Sequence, residues 1–140
     1  MSDVPGHDQR PEAWSGIAPD YHTEFARFTG VYVDEVLDHL EVGPRTALLD
    51  VATGSGAVAL RAAARGAAVT AVDFAPGMVD LVRRRAADAD LVVEAQVMDG
   101  QALEVADASF DAGASMFGLI FVPDVAAGAA ELRRSTRPGG

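Results

Sequence analysis

The residues best suited to chemistry are three acids and two glycines, Asp50, Asp73, Asp99, Gly54 and Gly56. In "LLDVATGSGAVAL", residues 48–60, an apolar run meets an acid, then a glycine turn, then an alanine-rich stretch with the composition of a helix. Two glycines let the backbone turn sharply and let a ligand approach with no Cβ in the way. The free N–H groups of the helix's first turn attract an anionic or polar group. Taken alone, the pattern also fits a tight strand-to-helix turn without a ligand, and Gly54, Gly56 and Ala59 satisfy the dinucleotide spacing GxGxxA. Asp73 closes the next apolar run, seventeen positions after Gly56, where an acid accepts hydrogen bonds from both hydroxyls of a ribose. A solvated acid ahead of a helix is the competing explanation for Asp73 alone. Together, the turn and the acid point to a nucleoside-containing ligand.

Two further acids bear on which one. Asp50 stands before the glycines, where it meets the positive amino group of a methionyl moiety but repels a pyrophosphate. Asp99, in "MDGQ" at residues 98–101, follows the third strand and is placed to accept from an adenine amino group, with Gly100 leaving room for the ring. These acids, and a long helix ahead of the first strand, favour S-adenosylmethionine over a nicotinamide dinucleotide. The sequence has no Cys, and His7, His22 and His39 lack metal-ligand spacing, so no thiol nucleophile and no metal site is expected. No Ser-His-Asp set stands out. His22, beside Tyr21, is the one candidate general base, against the alternative of a helix-surface histidine.

These residues need a scaffold, and the hydrophobic pattern supplies one. Tyr21, Phe25, Phe28, Tyr32, Val36, Leu37 and Leu40 recur at spacings of one helical face, which predicts an amphipathic helix over 20–40 that Gly43-Pro44 stops. Strands are expected at "TALLDVA" (46–52), "AAVTAVD" (67–73), "LVVEAQV" (91–97) and "FDAGASMFGLIF" (110–121). Helices follow at 57–65, from Pro76 with a stripe of Met78, Leu81 and Val82, and at 125–137. Alternating strands and helices imply an α/β doubly wound parallel sheet.

Composition bounds the rest. A chain of 140 residues, 49% hydrophobic, suits one domain, here 14–140, behind a polar tail at 1–13 that is expected to be disordered. The N-terminus lacks the basic start and apolar core of a signal peptide, which makes the cytoplasm the expected location. The longest uncharged apolar run, 112–123, falls short of the about 20 residues a membrane helix needs. A formal net charge of -10 repels phosphate backbones, so nucleic acid is not expected as a partner.

The ordered set "LLDVATGSG", "AVDFAPGMVDLVRRRA", "MDGQALEVADASFDAGASMFGLIFVPD" and "ELRRSTRPGG" resembles class I S-adenosylmethionine-dependent methyltransferases of the ubiquinone/menaquinone-biosynthesis type, also called methyltransferase type 11. The resemblance runs from about Trp14 to Gly140 and implies a Rossmann-like sheet with methyl transfer to a small-molecule acceptor. It implies that Asp50, Ala52, Gly54 and Gly56 surround the methionine end of the cofactor. Asp73 would hold the ribose, Phe74 would flank the adenine, and Asp99 and Gly100 would contact it. Ser115 and Met116 would close the pocket near the sulfonium, with Tyr21 and Trp14 in an N-terminal lid. Ordinary core packing is the alternative for Phe74, Met116 and Trp14. The chain departs from the family at Ala52, where Gly is frequent, and at Ala75, where a Ser or Thr cap is usual.

In the family "RPGG" precedes a fifth strand, so strands 5 to 7 and a substrate-facing insertion would be missing here. The expectation is therefore a methyltransferase fragment with an incomplete acceptor site and an apolar fourth-strand edge open to homodimer pairing. A non-catalytic cofactor-binding or interaction module and an NAD(P)-binding oxidoreductase domain remain as alternatives.

Overall fold

Leu48 and Leu49 are both fully buried, on opposite faces of one strand, and the architecture follows from that. A strand with two apolar faces must lie inside a sheet covered on both sides. The computed structural model describes residues 6–140. Its elements run α1 (Pro11–Glu24), α2 (Ala26–Thr29), α3 (Val33–His39), β1 (Ala47–Val51), α4 (Ala57–Ala64), β2 (Ala68–Asp73), α5 (Pro76–Asp88), β3 (Val93–Val97), β4 (Ala112–Ala114) and α6 (Val125–Ser135). The four strands are parallel, as the alternating pattern predicts, and lie in the order β3-β2-β1-β4. On one face Leu48 packs with Val33 and Leu37 of α3, Val58 and Ala62 of α4, and Val79 and Val82 of α5. On the other, Leu49, Val51 and Val72 pack with Leu103, Leu119 and Leu132 of α6.

The order reverses at β1, which has β2 on one side and β4 on the other, and the carboxyl ends there open into a crevice. α1 lies against α5, where Ala18 is buried with Ala75 and Met78, and Ser15 Oγ accepts from the Gly77 N–H at 3.1 Å. Gly77 is required there: a Cβ would lie 2.7 Å from Ser15 Cα.

Three expected spans differ. The single helix over 20–40 is instead α1, starting at Pro11, then α2, a 3-10 turn at Gly30–Tyr32, and α3. Gly30 has low helix propensity, and Thr29 Oγ1 bonds back to the Phe25 carbonyl at 3.3 Å, which favours a break. The break leaves Phe25, Phe28 and Tyr32 exposed instead of turned inward. Part of the expected tail is helical: His7–Gln9 form a 3-10 turn, tied down where Trp14 Nε1–H donates to the Asp8 carbonyl at 2.6 Å, while residues 1–5 lie outside the described residues.

The fourth strand is the third difference. Only Ala112–Ala114 is extended, and Leu119–Phe121 forms a 3-10 turn, so the long apolar edge expected over 110–121 does not form. Phe117 takes a left-handed φ of 58°, and Gly118 folds onto the end of β1, so close to Ala52 that a Cβ would lie 2.4 Å from the Ala52 Cβ. Outside β4, Phe110 pairs in parallel with Thr136 just after α6. Among the described residues no helix is long and apolar enough to cross a membrane.

Candidate functional site

Every strand contributes its carboxyl end to one cleft of about 520 Å³. The segment after β1 brings Ala52 and Gly54, the end of β2 brings Asp73 and Phe74, the loop after β3 brings Asp99 and Gly100, and the turn after β4 brings Met116. Asp50, Tyr21 and Trp14 also line it, so nine of the eleven cofactor positions expected from sequence converge here, with Trp14 as a tenth lining residue.

The two exceptions do structural work. Gly56 has a left-handed φ of 82°, and a Cβ there would lie 3.0 Å from Val82 Cγ2, so it lets the glycine turn enter α4 against α5 from behind the cleft. Ser115 turns its hydroxyl to the Leu119 N–H at 3.1 Å and caps the 3-10 turn. Gly100 lines the cleft, and its small size also has a cause inside the protein. A Cβ would meet Val51 Cγ1 at 3.0 Å and Leu119 Cδ2 at 3.6 Å, so the missing side chain seats the loop on β1.

Two carboxylates form the floor. Asp50 is 1% exposed and Asp73 5%. Thr53 Oγ1 donates to Asp50 Oδ2 at 2.7 Å, and the Ala59 N–H also donates to this carboxylate. Burial nevertheless pushes the Asp50 carboxyl up to about 7, with the Asp73 charge adding to the rise. Asp73 accepts from Gly54 N–H at 2.9 Å and Ala75 N–H at 3.0 Å. Burial raises its carboxyl as well, against those backbone donors. A Ser or Thr at Ala75 would accept from the first-turn N–H groups of α5; here the Gly77 N–H donates to Ser15 Oγ of α1 at 3.1 Å, so α5 starts without a cap of its own.

The roof is aromatic. Trp14 meets Tyr21 edge-on at 5.9 Å and Phe121 at 5.1 Å, and Tyr21 stacks on Phe25 at 5.3 Å. Burial and the charge of Asp73 both push the Tyr21 hydroxyl up, so it remains a hydrogen-bond donor over the cleft. His22 does not line the cleft. Its Nδ1 is buried without a hydrogen-bond partner among the described residues, and burial and the nearby Arg85 guanidinium hold it below the ordinary histidine range. Thr53, Gln101 and Phe121 belong to the site but were not singled out from the sequence. Thr53 lies inside the glycine motif and was legible there. Phe121 reads as strand and reaches the cleft only because the chain turns back after β4.

Among the described residues that line the cleft none is Arg or His, while Asp50, Asp73, Asp99 and Glu104 are acids. A pyrophosphate would find no basic partner and four carboxylates; a cation finds the reverse. A family model described as a methyltransferase domain matches residues 48–140. The chain belongs to the methyltransferase domain family.

Relatives agree with that membership. The chain is 43% identical over 99 residues to an uncharacterized protein of Mycobacterium tuberculosis (strain ATCC 25618 / H37Rv), a match that covers 71% of this chain and 36% of the relative. It is 42% identical over 101 residues to a demethylmenaquinone methyltransferase of Mycobacterium sp. (strain KMS), covering 72% of this chain and 41% of that one. This methyltransferase domain thus spans about two fifths of the length of these relatives. In fold it is similar to the crystal structure of a putative S-adenosylmethionine-dependent methyltransferase from Methanococcus maripaludis, with a TM-score of 0.80 at 21% identity, over 100% of this chain and 64% of that one.

Proposed function

We propose that the cleft binds S-adenosylmethionine and that the chain, 14–140, is the cofactor-binding part of a cytoplasmic methyltransferase acting on a small-molecule acceptor. The observation that carries this reading is the pair of buried carboxylates, Asp50 and Asp73, in a cleft without a basic side chain among its described residues. A buried acid held near neutrality lacks a cation, and S-adenosylmethionine carries two cationic groups, an ammonium and a sulfonium, at its methionine end. The residues fit the cofactor: Asp50 and Gly54 at the methionine end, Asp73 at the ribose, and Phe74, Asp99 and Gly100 at the adenine.

When bound, the cofactor supplies a methyl group already activated on sulfur. The protein's share is proximity, orientation and exclusion of water. Asp73 orients through the carboxylate lone pairs left over by the backbone donors Gly54, Phe74 and Ala75. Trp14, Tyr21 and Phe121 cover the cleft and keep water from the reacting centre. The acceptor side is bounded by Met116, Phe117, Phe121 and Val122, which supports an acceptor with an apolar surface. Self-association through the fourth-strand edge has only Ala112–Ala114 to work with, since Phe110 upstream is already paired with Thr136.

Calorimetric titration with S-adenosylhomocysteine, beside NADH as control, tests the cofactor reading. Saturable heat with the nucleoside thioether and none with NADH is the expected result. Binding of NADH alone, or no heat from a chain shown folded by circular dichroism, would overturn it.

A further inference from the structure

The loops after β3 and β4 belong to the two outermost strands of the sheet, yet they meet. One side chain joins them. Gln101, in the loop after β3, donates through Nε2 to Asp99 Oδ1 at 3.1 Å, and its backbone N–H donates to the same oxygen at 2.9 Å. Its Oε1 accepts the Asp124 N–H at 2.8 Å, at the start of α6. Asp124 in turn caps α6, accepting the Ala127 N–H at 2.9 Å. Phe121, Val122 and Pro123 run directly into Asp124 and form the cleft wall, with Phe121 against Trp14 at 5.1 Å.

We propose that Gln101 is a positioning residue: its amide ties the acid at the nucleoside end, Asp99, to the wall that carries Phe121 at the acceptor end. The proposal rests on the cofactor reading above. An amide suits the task because it donates and accepts at once, here to a carboxylate on one side and from a backbone N–H on the other. Asp99 lines the cleft, and both Gln101 donors meet its Oδ1, which leaves Oδ2 outside the bridge for a ligand donor. A donor bound there fixes Asp99, which fixes Gln101, which holds the Asp124 backbone and with it the segment bearing Phe121. The carboxylate-amide-backbone bridge also explains why the Phe117–Gly118 turn needs no longer strand to stay in place. It is held from Ser115 at one end and from Gln101 at the other.

Trp14 is the sole tryptophan of the chain, so its emission reports on the Phe121 wall with no competing signal. The test compares wild type, Gln101→Ala, Gln101→Met, Phe121→Ala and Gln101→Ala/Phe121→Ala by acrylamide quenching of Trp14 without ligand and by calorimetric titration with S-adenosylhomocysteine. Gln101→Met keeps the length of the side chain and loses both bonds, which guards against a misfolded alanine variant. In both Gln101 variants quenching should rise measurably, and affinity should fall about two- to tenfold, the loss expected for one or two hydrogen bonds. Phe121→Ala should then cost much less affinity in the Gln101→Ala background than in wild type, because one wall cannot be lost twice. Unchanged quenching in folded Gln101 variants, or strictly additive losses, overturns the proposal. A wild type that binds no S-adenosylhomocysteine overturns the cofactor reading, and the quenching comparison then decides the role of Gln101 by itself.

Discussion

The backbone N–H of Gly54 donates to Asp73 Oδ2 at 2.9 Å, so the glycine turn after β1 is held by the acid that ends β2. Two features that look independent in sequence are one unit in the fold. The acid shapes the turn while keeping lone pairs for a ligand, and Ala75 N–H on its other oxygen fixes the start of α5.

Replacing Asp73 therefore has two separable effects. Asp73→Ala should abolish S-adenosylhomocysteine binding and also destabilise the fold by about 1–3 kcal/mol, because the Gly54, Phe74 and Ala75 backbone donors lose their acceptor. Asp73→Asn should keep one acceptor oxygen and recover part of the stability while binding stays weak. Calorimetry and thermal denaturation of the two variants separate the effects; unchanged affinity in a folded Asp73→Ala chain would remove Asp73 from the site.

Asp50 makes the ligand-free protein pH-sensitive. Its carboxyl is raised from 3.8 to about 7, so between these values the folded chain holds a proton that the unfolded chain has released. Stability from this group is full below about pH 4 and is lost as pH rises through about 7. Asp73, raised for the same reason, acts in the same direction; His22, held low, acts in the opposite one. The Asp50 share is isolated by the difference between wild type and Asp50→Asn in thermal midpoint from pH 5 to 8, which should shrink or reverse toward low pH. Affinity for S-adenosylhomocysteine should rise over the same interval as Asp50 ionises beside the ligand ammonium. A flat difference across that range would contradict the burial argument.

Thr53 stabilises the charged form of Asp50 through its 2.7 Å hydrogen bond. Thr53→Val should cost about 1–3 kcal/mol at pH 8, where the buried carboxylate loses a donor, and less at pH 5, where Asp50 is protonated. Denaturant titrations at the two pH values measure this, and equal costs at both would count against the bond.

Ala52 and Gly56 bracket the turn with opposite fit to the backbone. Ala52 has a φ of 55°, left-handed, where a Cβ is strained. Ala52→Gly should stabilise the fold by about 1 kcal/mol. Gly56→Ala should destabilise it by about 1–3 kcal/mol, since φ is 82° and the new Cβ meets Val82. Thermal midpoints moving in opposite directions are the expected result.

Gly77 lies outside the cleft yet controls its roof. A Cβ would press into the Ser15 backbone, so Gly77→Ala should lift α1 from α5, shift Trp14 emission to the red and weaken S-adenosylhomocysteine several-fold. Retained emission and affinity would show that α1 does not cover the ligand.

The alternation of apolar runs with helical segments by itself determined the parallel α/β arrangement, because strands joined by helical crossovers lie parallel. With that arrangement settled, Asp50, Gly54, Asp73 and Asp99 had to gather at the carboxyl ends of adjacent strands. Local sequence also located the turn, since left-handed backbone at Gly54 and Gly56 is a property of the residue. Tertiary structure alone decided the contacts between segments far apart in the chain. The break in the N-terminal helix left Phe25, Phe28 and Tyr32 exposed although their spacing reads as an inward face. The fold-back of 115–121 turned an apparent strand into the cap and wall of a cleft, and it gave Gly100 and Ser115 packing and capping roles that their own segments do not announce. The Asp50 carboxyl near neutrality and the Gln101 bridge belong to the same class. Burial and hydrogen-bond partners depend on which surfaces meet, and spacing along one segment carries no record of the segment it will face.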